Sequence, residues 1–213
     1  DDGLKALDSG FRWNDGLFSL SESRIPNPES RIPNPESRRL HMQEFAELIR
    51  DVPDFPRRGV MFRDVSPLLA SADAFACCIE ALAAPWRDRD VQVVGAVEAR
   101  GFIFGAALAM ALRAGFVPLR KPGKLPPPVQ SVDYQLEYGE DRLEIRDDVL
   151  QPAQRVLLVD DVLATGGTLC AAAELVAGAG GMLLGAAVVI ELDALGGRSR
   201  WAERGPLHSL LRY

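Results

Sequence analysis

The segment from Val156 to Thr168 contains the residues best suited to chemistry in this sequence. Its apolar start predicts a strand buried on both faces, and two adjacent carboxylates, Asp160 and Asp161, follow that strand. A turn with two glycines and two threonines then leads into a predicted helix. Backbone amides at such a turn and helix start favour an anion, and threonine hydroxyls add donors. The predicted phosphate-binding loop comprises Ala164, Thr165, Gly166, Gly167 and Thr168.

The two carboxylates would repel a phosphate bound beside them, so they must serve another part of the same ligand, such as sugar hydroxyls. For the segment taken alone, the alternative is a surface turn in which Asp161 caps the following helix.

Three basic residues are candidates for binding an anion. Arg100 precedes a predicted helix, where a cation gains nothing from the helix dipole, so an anionic ligand explains it better. Lys121 and Lys124 are two of only three lysines in the chain, the third being Lys5. The alternative for all three is an ordinary solvated charge.

Strand and helix patterns alternate from residue 42 onward, and they predict which elements position these side chains. This order predicts an α/β fold with a mainly parallel central sheet flanked by helices, and ligands bound at the carboxyl ends of the strands. A proline-rich loop followed by a hairpin is predicted over residues 121–145. The predicted strands are Val91–Val97, Val117–Leu119, Val156–Val159 and Ala186–Ile190, and the predicted helices are Phe45–Ile49 (ended by Pro53 and Pro56), Ala74–Ala84, Phe102–Ala114 and Leu169–Ala177.

Composition excludes several classes of function. The 24 basic and 30 acidic side chains give a net charge of −6, which disfavours nucleic acid and anionic membranes as partners. Three cysteines without a paired framework predict a reducing, cytoplasmic location. Two histidines exclude a multi-histidine metal cluster, and no apolar stretch reaches the roughly 18–20 residues of a membrane span.

Residues 1–41 differ from the rest of the chain. The heptapeptide Ser-Arg-Ile-Pro-Asn-Pro-Glu occurs at 23–29 and again at 30–36, and its prolines exclude a helical coiled coil. We expect 1–41 to be a disordered extension, either translated upstream of the natural start or added to the natural sequence. Met42 is then a plausible natural start, and 42–213 form a single domain.

Several motifs in order, from about residue 44 to the C-terminus, resemble the adenine-specific members of the type I phosphoribosyltransferase family. Together with the segment Val156–Thr168 they are far more specific than any one of them. The other matching motifs are Asp54-Phe55-Pro56, Gly59–Asp64, Glu98–Phe102, Arg120–Pro126 and Leu136–Gly139.

This resemblance implies transfer of a 5-phosphoribosyl group from phosphoribosyl diphosphate to N9 of adenine, giving AMP and diphosphate. It implies that loop 164–168 holds the 5-phosphate and that Asp160 and Asp161 bind the ribose hydroxyls near the cationic sugar. Arg100, Lys121 and Lys124 would then bind the diphosphate. Mg²⁺ is the implied cofactor, carried on the diphosphate without a direct protein ligand.

The resemblance also implies a small hood, in which Met61, Phe62 and Arg63 contact adenine, and a flexible catalytic loop over 121–139. In that loop Glu137 is the implied residue for handling the proton lost from adenine N9 or for stabilising the reactive tautomer, with Tyr138 beside it and Tyr134 in the same loop. The alternative for Glu137 is a solvent-facing residue of a strand. A homodimer is implied in the same way.

Two alternatives remain at this point. One is the same transfer to hypoxanthine, guanine, xanthine or orotate. The other is a ligand-sensing regulator without turnover, which would need a DNA-binding element that the proline-rich residues 1–41 do not supply.

Overall fold

The computed structural model of the chain describes residues 45–135 and 139–213. Strands and helices alternate along most of this part of the chain. The strands are β1 (Arg50–Pro53), β2 (Met61–Asp64), β3 (Val93–Val97), β4 (Gly115–Leu119), β5 (Val129–Gln135), β6 (Glu140–Arg146), β7 (Arg155–Leu163), β8 (Met182–Glu191) and β9 (Leu207–Arg212). The helices are α1 (Ser66–Ala70), α2 (Ala72–Ala83), α3 (Gly101–Leu112), α4 (Gly167–Gly178) and α5 (Gly197–Trp201).

A five-stranded sheet in the order β4-β3-β7-β8-β9 forms the centre of the described residues. Every neighbouring pair in this sheet is parallel. The carboxyl ends of β3, β4 and β7 therefore lie at the same edge, as the order of elements in the sequence predicts. The predicted α/β class with a parallel central sheet flanked by helices is confirmed.

The apolar core lies on both faces of this sheet. Val94 and Leu157 pack with helices α2 and α3 on one face, and Val93 and Leu158 pack with α4 on the other. This alternation follows from the two-residue repeat of a strand, so a strand buried on both faces needs the continuous apolar run that the sequence shows. The result is a rigid platform beneath the carboxyl edge.

Helix α3 approaches the sheet at one glycine. A Cβ on Gly105 would lie 2.4 Å from the Cβ of Ala96 in β3, a distance that no packing adjustment accommodates easily. Gly105 therefore allows α3 to lie directly on β3, and this fixes the start of the helix beside the end of β7.

Two antiparallel hairpins extend from the central sheet. Strands β1 and β2 form the first, and we call this hairpin, with its connecting loop 54–60, the hood. Strands β5 and β6 form the second, which packs its Leu143 and Ile145 into the core against α4. The predicted hairpin in residues 121–145 is thus present.

The structure differs from the sequence prediction at several places. The predicted helix Phe45–Ile49 is helical only over the described residues 45–47, because Arg50–Pro53 pairs with β2 instead. Strand β7 continues to Leu163, so Asp160 and Asp161 lie within the strand and not after it. Strands β1, β2 and β9 and helices α1 and α5 were not predicted. None of the helices in the described part of the chain is long and apolar enough to cross a membrane.

Candidate active site

Three cavities share walls at the carboxyl end of β7. We call them the loop cavity (about 290 Å³, lined by residues 162–169), the hood cavity (about 570 Å³, beneath residues 59–63) and the central cavity (about 430 Å³, lined by Lys121 and Asp141 among others). Asp160 lines both the loop cavity and the central cavity, and Asp161 lines both the central cavity and the hood cavity. The acidic pair therefore stands where the three spaces meet.

The loop cavity is built on the turn between β7 and α4. Gly166 has φ 79°, in the left-handed region that favours glycine, and α4 begins at the next residue. A Cβ on Gly167 would lie 2.7 Å from the carbonyl oxygen of Gln135, so glycine is also required there. All five residues of the predicted phosphate-binding loop line this cavity. The first amides of α4 begin at this wall, which suits an anion.

Asp160 is a half-buried residue in an unusual electrostatic setting. Burial raises its pKa well above the ordinary value, and the neighbouring Asp161 carboxylate raises it further. The Asp161 backbone N–H donates to its Oδ1 at 2.9 Å. A Cβ on Gly101 would lie 3.0 Å from the same oxygen, so the first turn of α3 is packed tightly against this side chain. Asp160 thus holds its proton to higher pH than an exposed aspartate.

Asp161 pairs with Arg100 at the boundary between the central and hood cavities. The Arg100 Nε atom contacts Asp161 Oδ2, and the Arg100 guanidinium lies 4.9 Å from the centroid of the Phe62 ring. The Asp161 side chain is only 9% exposed, whereas that of Arg100 is 41% exposed. Arg100 therefore neutralises a buried carboxylate while keeping part of its guanidinium available to a ligand.

Lys121 lies in the central cavity and is held by two groups of the second hairpin. Its Nζ contacts Asp141 Oδ2 and donates to the Tyr134 hydroxyl at 2.8 Å. Burial opposes the charge on Lys121, but these contacts outweigh that effect and raise its pKa. Burial likewise opposes the charge on Asp141, yet the bond from Lys121 lowers the pKa of Asp141. Lys121 is therefore a fixed cation on the cavity wall.

Lys124 does not line the central cavity in this structure. Its Nζ donates to Glu98 at 2.7 Å, and Glu98 also accepts from Arg120 at 3.2 Å and from the Lys121 backbone N–H at 3.0 Å. Burial would raise the pKa of Glu98, but these donors outweigh burial and lower it to about 2. Glu98 itself lines the cavity, so it stands between Lys124 and that space.

The hood cavity has apolar and aromatic walls. Met61, Phe62 and Arg63 all line it, as predicted for base-contacting residues, and Tyr213 lies in the wall formed by the C-terminal part of the chain. The Arg63 guanidinium lies 3.9 Å from the Tyr213 ring centroid and contacts Asp51. Leu192, Ala194 and Leu195 line the cavity as well. A flat, mostly apolar ligand suits such a space.

The predicted site residues are brought together except for three. Lys124 lies behind Glu98, and Glu137 and Tyr138 fall outside the described residues. Tyr134, predicted for a mobile loop, lies in β5 and is 7% exposed.

Sequence reasoning missed several residues that line the three cavities. All of them lie outside the segment Val156–Thr168, from which the site was predicted. Asp141 had a usable signal, because it follows the matching motif Leu136–Gly139. Tyr213 and Leu192 had none. The missed residues are Arg57, Glu98, Asp141, Leu192, Ala194, Leu195 and Tyr213.

Comparison with known proteins identifies similar chains. The family model described as phosphoribosyl transferase domain matches residues 69–204. An adenine phosphoribosyltransferase of Xanthomonas euvesicatoria pv. vesicatoria is 52% identical over 169 residues, which is 79% of this chain and 91% of that protein.

Solved structures of adenine phosphoribosyltransferases are also similar to this chain. An adenine phosphoribosyltransferase of Rhodothermus marinus superposes with a TM-score of 0.79 at 44% identity, covering 82% of this chain and 99% of that one. An adenine phosphoribosyltransferase of Saccharomyces cerevisiae, complexed with D-2,5-dideoxy-2,5-imino-altritol 1,6-bisphosphate and adenine, superposes with a TM-score of 0.77 at 37% identity, covering 81% and 99%. With a parallel sheet, a glycine-rich loop and an acidic pair arranged as described, the chain belongs to the phosphoribosyl transferase family.

Proposed function

We propose that this chain is a purine salvage enzyme that transfers the 5-phosphoribosyl group of phosphoribosyl diphosphate to N9 of adenine, giving AMP and diphosphate. The observation that carries this function is the meeting of three cavities at Asp160 and Asp161. The two substrates have three parts around one ribose, namely a 5-phosphate, a diphosphate and a base. The loop cavity suits the 5-phosphate, the central cavity suits the diphosphate, and the hood cavity suits the base. All three cavities meet at the acidic pair, where the ribose would lie.

The ribose is placed by the acidic pair in this proposal. Asp160 and Asp161 reach the junction from one strand, so both carboxyl groups can accept from ribose hydroxyls while the 5-phosphate occupies the loop cavity. Breaking the bond at the anomeric carbon gives the sugar cationic character, and a carboxylate fixed beside it stabilises that charge without reorganisation. Asp161 is suited to this because Arg100 and the strand hold it in place.

The leaving diphosphate carries negative charge, and three cations are available around the central cavity. Arg100 and Lys121 line the cavity directly. Lys124 is tied to Glu98, so its proposed contact with the diphosphate requires it to exchange that carboxylate for a phosphate oxygen. Because the diphosphate carries more charge than one carboxylate, this exchange is electrostatically favourable. The proton lost from adenine N9 is assigned to Glu137, on the resemblance of its motif.

Mg²⁺ is the proposed cofactor. Within the described residues no cluster of three or more acidic, histidine or cysteine side chains is arranged to hold a metal. In this proposal the ion arrives on the diphosphate, and the Asp160 and Asp161 carboxyl groups line the cavity that would receive it. When bound, such an ion neutralises charge on the leaving group.

The hood cavity supports adenine as the base. Phe62 and Met61 supply apolar surface for a flat purine, and backbone groups of this strand can pair with its edge and distinguish an amine from a carbonyl. The relatives that cover most of this chain carry the name adenine phosphoribosyltransferase.

We further propose a homodimer in the cytoplasm. Ile103 and Met110 on α3 and Phe116 on β4 are exposed apolar side chains, with Met110 82% exposed, and a second copy of the chain is the proposed cover for them. The free thiols of the buried Cys78 and Cys170 suit a reducing compartment. Light scattering on the purified chain tests the dimer, and a monomer at micromolar concentration contradicts it.

A base-competition assay tests the activity. The purified chain receives phosphoribosyl diphosphate, Mg²⁺ and one base at a time, namely adenine, hypoxanthine, guanine, xanthine or orotate, and released diphosphate is measured. We expect turnover with adenine, and its loss when Mg²⁺ is removed by a chelator. Turnover with another base alone would change the substrate assignment, and binding without turnover for every base would favour a sensor.

A further inference from the structure

One arginine of the hood reaches the loop cavity. Arg57 lines that cavity together with residues 162–169, although more than 100 positions separate it from them in the chain. It lies between β1 and β2, and its side chain is exposed. The hood, whose strand β2 covers the hood cavity, thus also contributes a cation to the neighbouring cavity.

The electrostatics of the loop cavity call for such a cation. Among the residues that line it, Arg57 and Asp160 are the charged ones, and the rest offer only backbone amides, hydroxyls and apolar groups. A phosphate placed there carries close to two negative charges and meets the half-buried carboxyl group of Asp160. Amides and the helix dipole offset only part of this charge. A guanidinium at the same wall offsets more, and it matches phosphate geometry with two parallel N–H groups.

Hydrogen bonds and a ring contact hold the backbone on both sides of Arg57. The Gly59 N–H donates to Asp54 Oδ1 at 2.6 Å, and the Val60 N–H donates to the Arg57 carbonyl at 3.2 Å. The rings of Phe55 and Phe62 meet edge to face at 5.1 Å. These contacts hold the loop 54–60, from which Arg57 lines the loop cavity.

We infer that Arg57 is a further binding residue for the 5-phosphate, supplied by the hood across the loop cavity. This inference rests on the proposed function, because it assumes that the phosphate of phosphoribosyl diphosphate and AMP occupies that cavity. Arg57 then recognises the phosphate and not the base, although it belongs to the same hairpin as the base-contacting residues.

The test compares two ligands that differ by one phosphate, AMP and adenosine. Their dissociation constants are measured calorimetrically on the full chain and on the variants Arg57→Ala, Arg57→Lys and Arg58→Ala. Arg58 is the matched control, because it is the next residue of the same loop, is exposed, and lines none of the three cavities.

We expect Arg57→Ala to weaken AMP binding by roughly tenfold to a hundredfold, the range for losing a charged hydrogen bond, and to leave adenosine binding unchanged. Arg57→Lys should recover part of the loss, and Arg58→Ala should behave as the unaltered chain. The KM for phosphoribosyl diphosphate should rise with Arg57→Ala while that for adenine stays constant.

Equal weakening of AMP and adenosine would assign Arg57 a purely structural role in the hood and overturn the inference. Unchanged AMP binding would overturn it as well, and so would an equal effect of Arg58→Ala, since that indicates general surface charge. AMP formation by the unaltered chain is measured in parallel. Its absence contradicts the proposed function, whereas its presence with an unaffected Arg57→Ala variant contradicts only the role of Arg57.

Discussion

Replacing Glu98 by glutamine should make the stability of the protein less dependent on acid. Glu98 is only 10% exposed and accepts from Arg120, Lys124 and the Lys121 backbone. Its folded-state pKa is about 2, against 4.5 in the unfolded chain. A group with a lowered folded pKa stabilises the protein above its unfolded pKa, and this stabilisation is lost as the pH falls from 4.5 toward 2.

The magnitude follows from the same numbers. A difference between 4.5 and about 2 corresponds to at most about 3 kcal/mol, since one pKa unit is worth about 1.4 kcal/mol. Solvent screens these contacts because the Arg120 and Lys124 side chains remain 32% and 48% exposed. We therefore expect Glu98→Gln to lower the free energy of unfolding by roughly 1–2 kcal/mol at pH 7.

Urea denaturation at pH 7, 4.5 and 3 measures this effect. The difference between the unaltered chain and Glu98→Gln should be constant from pH 7 to about 5 and should shrink at pH 3, where Glu98 is protonated in the unfolded chain but still largely ionised in the folded protein. Glu80→Gln is the matched control, because the Glu80–Arg87 pair is 42% and 45% exposed and should contribute less than about 1 kcal/mol. A Glu98→Gln difference that is the same at pH 7 and pH 3 would refute the assignment of the carboxylate as the source of the stability.

Three further predictions concern the reaction itself. Asp161→Asn should lower kcat by about a hundredfold or more through loss of charge stabilisation, with circular dichroism unchanged, and near-normal initial rates would remove Asp161 from the site. Gly166→Ala should raise the KM for phosphoribosyl diphosphate and destabilise the chain by about 1–2 kcal/mol, because the residue has φ 79° and its Cβ would lie 2.9 Å from the Gly197 carbonyl oxygen; an unchanged KM and melting temperature would contradict this. Glu137→Ala should lower kcat more than it weakens phosphoribosyl diphosphate binding, and an unchanged kcat in a steady-state assay argues against proton handling by this residue.

Local patterns predicted the parts of the fold that depend on neighbouring residues. The run Val156–Val159 is apolar because both faces of β7 are covered, and Gly166 is needed where the backbone turns into α4. The burial of a strand and a positive φ therefore restrict the residue types at these positions, and the sequence predicts both features. The end of the first helix was predicted wrongly because residues 50–53 pair with residues 61–64, and tertiary pairing overrides helical spacing.

The partners within the site depend on contacts between distant parts of the chain. Glu98 meets Lys124 across 26 positions, and Arg57 meets the loop cavity only because the hood folds over the sheet edge. The spacing of residues in the sequence does not predict such long-range contacts. The resemblance to the family predicted that residues 61–63 line the hood cavity. It did not predict Tyr213, which lines the same cavity.

The ion pairs of Lys121 and Lys124 also affect the rate at which phosphoribosyl diphosphate binds. Lys121 is paired with Asp141, Lys124 shares Glu98 with Arg120, and the chain as a whole carries a charge of −6. An approaching polyanion therefore meets little long-range attraction, because opposite charges held a few ångströms apart cancel beyond a Debye length. Association of phosphoribosyl diphosphate should then proceed without electrostatic steering, and its rate constant should vary little with ionic strength. The positive charge of this site acts only at contact range, once the ligand has already entered.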